Sequence, residues 1–304
     1  MRLLLATDGS EYSEIAAKFL VRVNWSPLDS ITAFHAIYAI PFPEDRKFHF
    51  DTLKAMKKDI APKILDSAVA ILKPVRAALS VEIGEFPPGE CTPDQCIINA
   101  AASSQADMIA MGARGIKGIK SVFLGSVTRL VTVHSPVPVL VVKPTPKNES
   151  GRMKILLPVD GPVHSRATAE VLSSVPFPDD ADVTVMHVIA SGFSDIPERF
   201  ALEIDDRIRE IVAGTRAREL AESERTVEAV RQSLSKRFRN ISVLSKVGDP
   251  SSEILRTAES LGTDLIVVGC RGVQGTRGTM GSVSKNVLTH AKCSVLIGKT
   301  CGEK

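Results

Sequence analysis

The chain has 304 residues, which suggests about two domains on the usual prior of roughly 100–200 residues each. Its 44% hydrophobic and 24% charged residues are typical of a soluble globular protein. A formal net charge of +3 is too small to indicate a nucleic-acid partner or an anionic membrane surface. No apolar run approaches the 18 or so residues of a membrane span. Charge and hydropathy therefore argue against a nucleic-acid-binding or membrane protein, and they do not indicate a particular function.

The cysteines and the start of the chain predict a reducing environment. No C-x-x-C pair and no histidines at zinc-ligand spacing accompany the cysteines, so reduced structural thiols are expected. A redox or metal pair made by Cys91 and Cys96 is the alternative. The opening apolar segment is short and ends at Thr7, so it predicts a first strand and no signal peptide. We therefore expect a cytoplasmic protein. The cysteines are Cys91, Cys96, Cys270, Cys293 and Cys301.

Short apolar runs alternate with helical patterns through the first half. Pro62 and Pro74 must each lie at a helix start, a kink or a boundary. A capping box is expected where Thr92 precedes Gln95 by three residues. Strands that are apolar at nearly every position and alternate with helices indicate an α/β unit with a doubly wound parallel sheet. The predicted strands are 2–8, 30–40, 81–86, 108–111 and 137–142, and the predicted helices follow Ser10, span 51–79 and 92–102, and follow Ser126.

The second half repeats the first. Residues 155–161 repeat the sequence pattern of residues 3–9, and residues 294–299 repeat that of the last strand of the first half. Asp249-Pro250 opens a helix as Thr92-Pro93 does. Agreement in order and spacing indicates an internal duplication. We therefore predict domains at 1–144 and 153–304, joined by a polar, proline-containing linker at 145–152.

The halves differ in a long charged segment, 196–238, between the second and third strands of the second half. Apolar residues at helical spacing predict a helix, interrupted at Gly214. Two interpretations stay open: a long packing helix with solvated Arg and Glu on its outer face, or a protruding surface for a protein partner.

A glycine-rich loop follows the fourth strand of each half. Gly112 and Gly115 let the backbone turn and approach a ligand, and Gly125-Ser126 opens a helix. Ser126 is predicted as an N-cap, where free N–H groups and the helix dipole favour an anion. The second copy has Gly269, Gly272 and Gly281-Ser282.

Two other phosphate loops do not fit. A Walker loop needs glycine before its Lys-Ser, and Ile119 stands before Lys120-Ser121. A dinucleotide fingerprint would place its glycines after the first strand, where Asp8-Gly9-Ser10 has only one. What remains is a loop at the carboxyl edge of the sheet, where open α/β sheets bind ligands.

These residues resemble the universal stress protein family. Its nucleotide-binding members have glycine, two residues, glycine, nine residues, then Gly-Ser or Gly-Thr, as at Gly112, Gly115 and Gly125-Ser126. The similarity covers almost the whole chain, as a tandem protein. It implies in each half a five-stranded parallel sheet of order 3-2-1-4-5, as in adenine nucleotide alpha hydrolase-like folds.

The resemblance implies a site for ATP, with or without Mg²⁺, across the first and fourth strands of the first half. Asp8 would lie near the adenosine and Ala36 beside the base, while the glycines and the helix start would hold the sugar and phosphates. Two alternatives stay open: Ser126 only caps its helix, and Arg114 is solvated rather than facing phosphates. The implied residues are Thr7, Asp8, Ala36, Met111, Gly112, Arg114, Gly115, Gly125, Ser126 and Val127.

The second half departs from the family spacing, because only eight residues separate Gly272 from Gly281. One residue fewer could shift N–H donors by up to about 3.5 Å. ATP, AMP, another ligand or an empty cleft are all compatible with this sequence, so asymmetry between the halves is predicted. The corresponding residues are Pro158, Val159, Asp160, Val188, Val268, Gly269, Gly272, Gly281, Ser282 and Val283.

The expected function is a cytoplasmic, ATP-binding stress-response regulator. No Ser-His-Asp set, carboxylate pair or metal cluster accompanies the loops, so no efficient enzyme is expected, although slow ATP hydrolysis stays open. The alternative is an adaptor that binds no nucleotide and meets an unknown protein partner through 196–238. A relative with pyrophosphatase activity is disfavoured, because its Ser-Gly-Gly-x-Asp-Ser loop is missing after the first strand. By the resemblance the halves form an intrachain pseudo-dimer through Val137–Val142 and Ser294–Ile297, and further homodimerisation is open.

Overall fold

The computed structural model describes residues 1–38, 47–86, 91–115, 124–144, 151–190, 206–270 and 280–299. Strands and helices alternate along these ranges, as the sequence predicts for an α/β protein. The strands are β1 (Arg2–Ala6), β2 (Ser30–Tyr38), β3 (Ala78–Phe86), β4 (Met108–Gly112), β5 (Val139–Val142), β6 (Lys154–Val159), β7 (Asp182–Ile189), β8 (Asn240–Val247), β9 (Leu265–Gly269) and β10 (Ser294–Gly298). The helices are α1 (Glu11–Val21), α2 (Lys47–Leu72), α3 (Pro93–Ser103), α4 (Ser126–His134), α5 (Pro162–Ser174), α6 (Asp206–Leu234), α7 (Pro250–Leu261) and α8 (Ser282–His290).

The chain divides into two compact units. The first comprises Met1–Pro146, Ser174–Pro178 and Ser294–Lys304, and the second comprises Lys147–Ser173 and Asp179–Cys293. The last strand of the second repeat, β10, therefore counts with the first unit. The predicted domain limits at 144 and 153 follow the sequence repeat and stay a prediction.

The sheet of the first unit has the strand order β3-β2-β1-β4-β5, all parallel, which confirms the predicted 3-2-1-4-5 order. The central strands β1 and β4 are buried along almost their whole length, as their uninterrupted apolar sequences require. Ala6 pairs with Met111, so the carboxyl ends of β1 and β4 lie side by side. Two loops, after Ala6 and after Gly112, thus begin next to each other.

The second unit repeats this arrangement with strand order β9-β6-β7-β8, again parallel. Its central strands β6 and β9 are also buried. In this unit β6 corresponds to β1 and β9 corresponds to β4. The loops that follow β6 and β9 therefore begin next to each other, as the loops after β1 and β4 do.

Two helices differ from their predictions. Helix α2 contains Pro62 in its interior and ends at Leu72, so Pro74 lies beyond it rather than within the predicted 51–79 helix. Helix α6 runs without interruption through Gly214, so the predicted break there is wrong. An exposed glycine costs a helix only about 1 kcal/mol relative to alanine, which the rest of a long helix offsets. The segment 196–205 lies outside the described residues.

The predicted helix starts at α3 and α7 are confirmed. The Gln95 side chain accepts a hydrogen bond from Thr92 N–H at 3.3 Å in a capping box. At α7 the Asp249 carboxylate accepts hydrogen bonds from the Ser252 hydroxyl at 2.7 Å and from Ser252 N–H at 2.8 Å, and these two bonds lower the pKa of Asp249. Local capping chemistry therefore places both helices as the sequence indicates.

In the first unit, β10 pairs with β5 in antiparallel register, Leu296 opposite Leu140, as predicted for these two apolar segments. Lys299, which follows β10, contacts the C-terminal end of helix α4. Lys299 Nζ donates to Thr132 O at 2.6 Å and to Val133 O at 3.2 Å, in the last turn of α4. A cation at a helix C-terminus satisfies orphan carbonyls and opposes the helix dipole.

Replacing this lysine by an uncharged residue of similar length should destabilise the first unit. We expect Lys299→Met to lower the free energy of unfolding by about 1–2 kcal/mol, because hydrogen bonds to a charged group are lost. The urea unfolding midpoint measures the change. Lys292→Met is the matched control, since Lys292 forms an exposed ion pair with Glu259 at 3.0 Å, and its loss should change stability by less than about 1 kcal/mol. An equal loss of stability in the two variants would contradict the proposed role of Lys299 as a cap of α4.

Candidate functional site

The turn after β1 holds the Asp8 carboxylate in a defined position. Gly9 adopts φ 75°, a left-handed conformation that favours glycine. Ser10 N–H donates to Asp8 Oδ1 at 3.0 Å, and Gly9 N–H donates to Thr7 Oγ1 at 3.3 Å. Asp8 is half-buried and Thr7 is buried. The first strand therefore presents one oriented carboxylate at the carboxyl edge of the sheet.

Two predicted loop glycines lie where a side chain would collide with this turn or its helix. A Cβ on Gly112 would lie 2.6 Å from both the carbonyl carbon and the oxygen of Tyr12. A Cβ on Gly115 would overlap Asp8 Oδ2. The structure thus brings Asp8, Gly112 and Gly115 together and explains both glycines by close approach.

The start of α4 is fastened to the end of β4 by two hydrogen bonds, which we call the clasp. Gly125 N–H donates to Ala113 O at 2.9 Å, and Thr128 Oγ1 donates to Gly112 O at 3.0 Å. Residues 116–123 lie outside the described part of the chain. The clasp nevertheless fixes where the loop ends, so Gly125 lies against the backbone of Ala113 and Arg114.

The N-cap prediction for Ser126 is wrong by one position. The N-cap is Gly125, with φ −61° and ψ 145°, and Ser126 is the first helical residue, with its side chain exposed. The first backbone bond of the helix runs from Arg129 N–H to Gly125 O at 2.9 Å. The N–H groups of Ser126 and Val127 precede it, so they have no intrahelical acceptor. Such a terminus, with its dipole, suits an anion.

The remaining predicted residues of the first unit surround this edge. Arg114 places its guanidinium over the Tyr12 ring, 5.5 Å from the ring centroid, so it stacks on α1. Met111 is buried at the end of β4, and Ala36 is half-buried on β2. Beside Ala36, His35 Nδ1 donates to Thr7 O at 2.8 Å. A carbonyl oxygen only accepts, so this ring nitrogen carries the proton.

The second unit contains the same clasp. Gly281 N–H donates to Cys270 O at 2.9 Å, and Ser284 Oγ donates to Gly269 O at 2.6 Å. The N-cap is again the glycine, Gly281, and Ser282 is the exposed first residue of α8, followed by half-buried Val283. The one-residue shortening and Gly272 lie outside the described residues. On the described side, the start of α8 is fastened as that of α4 is.

The turn after β6 differs from its counterpart. Gly161 has φ 144°, and its N–H donates to Ser165 Oγ at 3.3 Å, whereas Ser10 N–H binds the Asp8 carboxylate in the first unit. Asp160 is exposed. The other predicted residues hold equivalent places: Pro158 and Val159 end β6, Val188 lies near the end of β7, and Val268 and Gly269 end β9.

Three polar side chains of the second unit form a hydrogen-bonded chain, which we call the polar chain. His187 Nδ1 lies 2.8 Å from Ser223 Oγ on α6, which lies 2.8 Å from Ser245 Oγ on β8. Burial lowers the pKa of His187, and the carboxylates of Asp160 and Glu222 partly oppose that shift. In the first unit Ile83 pairs with His35 as Ser245 pairs with His187, and His35 binds Thr7 O instead.

Sequence reasoning missed the hydroxyl that completes each clasp. Thr128 and Ser284 stand three residues after the helix glycine, in Gly-Ser-Val-Thr and Gly-Ser-Val-Ser. Their repetition at matching positions was the available signal. Ser223 and Ser245 gave no such signal, because nothing in a linear pattern indicates that residues on α6 and β8 meet beside His187.

The described residues include no group of three His, Cys, Asp or Glu side chains arranged to hold a metal ion. Among the described helices, none combines the length and the hydropathy that a membrane span requires.

Two repeats of a doubly wound α/β unit, each with a clasped glycine loop after its fourth strand, define the class of this protein. The sequence model of the Universal stress protein family matches residues 1–143 and again residues 151–299. The chain therefore belongs to the universal stress protein family, as a tandem of two family domains. The resemblance inferred from the glycine spacing is confirmed.

Individual relatives agree with this assignment. The Thermus aquaticus "Universal stress protein in QAH/OAS sulfhydrylase 3'region" is 30% identical over 141 residues, covering 46% of this chain and 97% of that protein. The Bacillus subtilis (strain 168) universal stress protein YxiE is 27% identical over 154 residues, covering 47% of this chain and 97% of its own. A universal stress protein from Archaeoglobus fulgidus DSM 4304 matches in structure over 100% of this chain and 97% of its own, with TM-score 0.63 and 22% identity. That likeness supports the fold.

The glycine contacts lead to a graded stability prediction. Gly112→Ala should destabilise the first unit by about 1–3 kcal/mol, because its Cβ meets backbone that cannot rotate away. Gly125→Ala should cost less, since the nearest atom, Ala113 O, lies 3.3 Å from the new Cβ. Gly214→Ala is the control: apart from the backbone of α6 itself, a Cβ at Gly214 would meet no described atom within 4 Å, so this variant should be more stable by up to about 1 kcal/mol. Thermal unfolding of the three variants checks the order, and a neutral Gly112→Ala would contradict the packing.

The His187 environment predicts a pH dependence of stability. Its folded pKa lies below the unfolded value of about 6.5, so the unfolded state binds more protons and stability falls as the pH drops below about 6.5. His187→Gln should flatten the decline in the urea midpoint between about pH 7.5 and pH 5. An unchanged slope in the variant, or a ring titration of His187 above about 6.5 by NMR, would contradict it.

Proposed function

We propose that the first unit binds ATP, with or without Mg²⁺, at the carboxyl edge between β1 and β4, and that the bound nucleotide regulates the partners of the protein. The observation that carries the proposal is the clasped start of α4. It holds the N–H groups of Ser126 and Val127, which have no acceptor within the helix, beside the Gly112 to Gly115 turn and the Asp8 carboxylate. Membership in the universal stress protein family supports it.

Each part of this edge fits a part of the nucleotide. The helix N-terminus supplies N–H donors and a positive dipole end for the phosphates. Asp8 is an acceptor suited to hydroxyl groups of the ribose, and its carboxylate is already oriented by Ser10 N–H. Ala36 is a small half-buried residue on the neighbouring strand, and we place the base beside it. The Arg114 guanidinium, stacked on Tyr12, lies on the loop itself.

The second unit should bind ATP more weakly than the first or take a different ligand. Its helix start is clasped alike, but Gly161 N–H bonds to Ser165 and Asp160 is more exposed than Asp8. The loop between Gly272 and Gly281 is also one residue shorter than that between Gly115 and Gly125, so less backbone is available to surround a triphosphate. ATP, AMP or no nucleotide are the outcomes that a titration would distinguish at this site.

Isothermal titration with ATP tests the proposal. The intact chain should bind, and Gly115→Val combined with Gly125→Val should abolish high-affinity binding, because the side chains fill the space against Asp8 and Ala113. Gly281→Val is the matched control in the second unit and should leave that binding in place. Circular dichroism confirms that each variant is folded. Absence of binding by the intact chain would overturn the proposal.

The adaptor hypothesis, with partner contacts through 196–238 and no nucleotide, predicts a different outcome. The described part of that segment is a long helix with many exposed charged residues, which suits either packing or a partner. Purified protein with no nucleotide by absorbance and mass spectrometry, and no ATP binding, would favour it. A cytoplasmic location, the lack of efficient catalysis and the pseudo-dimer of the two halves stay predictions.

A further inference from the structure

Cys91 and Cys96 both lie at the start of α3. Thr92 is the N-cap of this helix, so Cys91 is the residue before the cap and Cys96 is the fourth helical residue. These are the two positions whose side chains touch in a hydrophobic staple. Cys96 N–H donates to Thr92 O at 2.9 Å, which closes the turn between them.

The two sulfurs are in different surroundings. Cys96 is 0% exposed, whereas Cys91 is half-exposed and its thiol donates to Thr92 O at 3.4 Å. Burial, followed by the hydrogen bond and the charge of Cys91, raises the pKa of Cys96. Cys96 is therefore the buried thiol of the pair, while Cys91 is the sulfur that a reagent reaches from solvent.

We propose that Cys91 and Cys96 form a reversible thiol–disulfide modification site whose oxidant is a peroxide. Cys91 thiolate attacks one peroxide oxygen, the O–O bond breaks, and Cys91 becomes a sulfenic acid as hydroxide leaves. The Cys96 sulfur then attacks the Cys91 sulfur and its proton leaves with the hydroxyl as water. Two thiols and one H₂O₂ thus give one disulfide and two waters.

The contacts at the start of α3 favour this pair over Cys270 and Cys293. Cys91 Sγ and Cys96 N–H both donate to the same oxygen, Thr92 O, at 3.4 Å and 2.9 Å, and the two residues occupy the positions that meet in a hydrophobic staple. The bridge would span the capping box without removing its Gln95 to Thr92 bond. Cys270 and Cys293 are both buried, so a peroxide has less access to them.

Mass spectrometry of the full chain tests the proposal directly. No Lys or Arg lies between Arg76 and Arg114, so trypsin releases residues 77–114 as a peptide that contains these two cysteines alone. After treatment of reduced protein with hydrogen peroxide, this peptide should lose two hydrogens, about 2 Da, and dithiothreitol should restore it. A peptide that keeps two alkylatable thiols, or gains oxygen without losing hydrogen, would overturn the proposal.

Two variants separate the steps. Cys91→Ser should abolish the 2 Da loss and leave Cys96 reduced. Cys96→Ala should let Cys91 stop at the sulfenic acid, so that labelling of Cys91 by dimedone rises several-fold over wild type. Equal labelling in wild type and Cys96→Ala would contradict a resolving role for Cys96. The wild-type result stands alone if Cys96→Ala fails to fold, and ATP titration of either form is a separate measurement.

Discussion

The contact between the end of the fourth strand and the start of the next helix is the constraint on which each site depends. Gly112 can lie on the backbone of Tyr12 only without a side chain, and its own carbonyl then accepts from Thr128. Gly125 N–H binds the next carbonyl along. Two donors on successive carbonyls fix both the position and the direction of α4. The helix terminus is thus set by contacts within the chain itself, and the second unit repeats the same bonds.

With the clasp shared, the two units differ in how their second strands are held. His35 donates to the Thr7 carbonyl, so one tautomer is required and β2 is tied to the turn that carries Asp8. His187 instead contacts the hydroxyl of Ser223 on α6. Because a hydroxyl can donate or accept, this contact does not impose one tautomer on His187. The first unit therefore holds its histidine by a hydrogen bond to the turn beside the glycine loop, whereas the second holds its histidine by a contact with the crossover helix α6. The asymmetry inferred from loop length has a second, independent source in this contact.

The parts of the fold that depend on local pattern could be predicted from the sequence. Strand order, duplication and the meeting of Asp8 with the loop glycines follow from apolar runs and glycine spacing. The cap at Ser126 was placed one residue late, because glycine with extended φ and ψ serves as N-cap while its carbonyl accepts the first helical bond. The break at Gly214 was wrong, since local propensity yields to the packing of a long helix. The chain from His187 to Ser245 joins distant segments, so no local pattern indicates it.

The crossover helices are docked in two different ways, and this has an energetic consequence. In the first unit Ala61 is fully buried and Ile64 packs over Gly9, so α2 is held by apolar contact. In the second unit Ser223, also fully buried, links His187 and Ser245. Removing one hydroxyl would leave a buried partner unsatisfied at about 1–3 kcal/mol, while replacing the whole chain by apolar residues can be nearly neutral. The polar chain therefore specifies how α6 sits on its sheet more than it stabilises the unit.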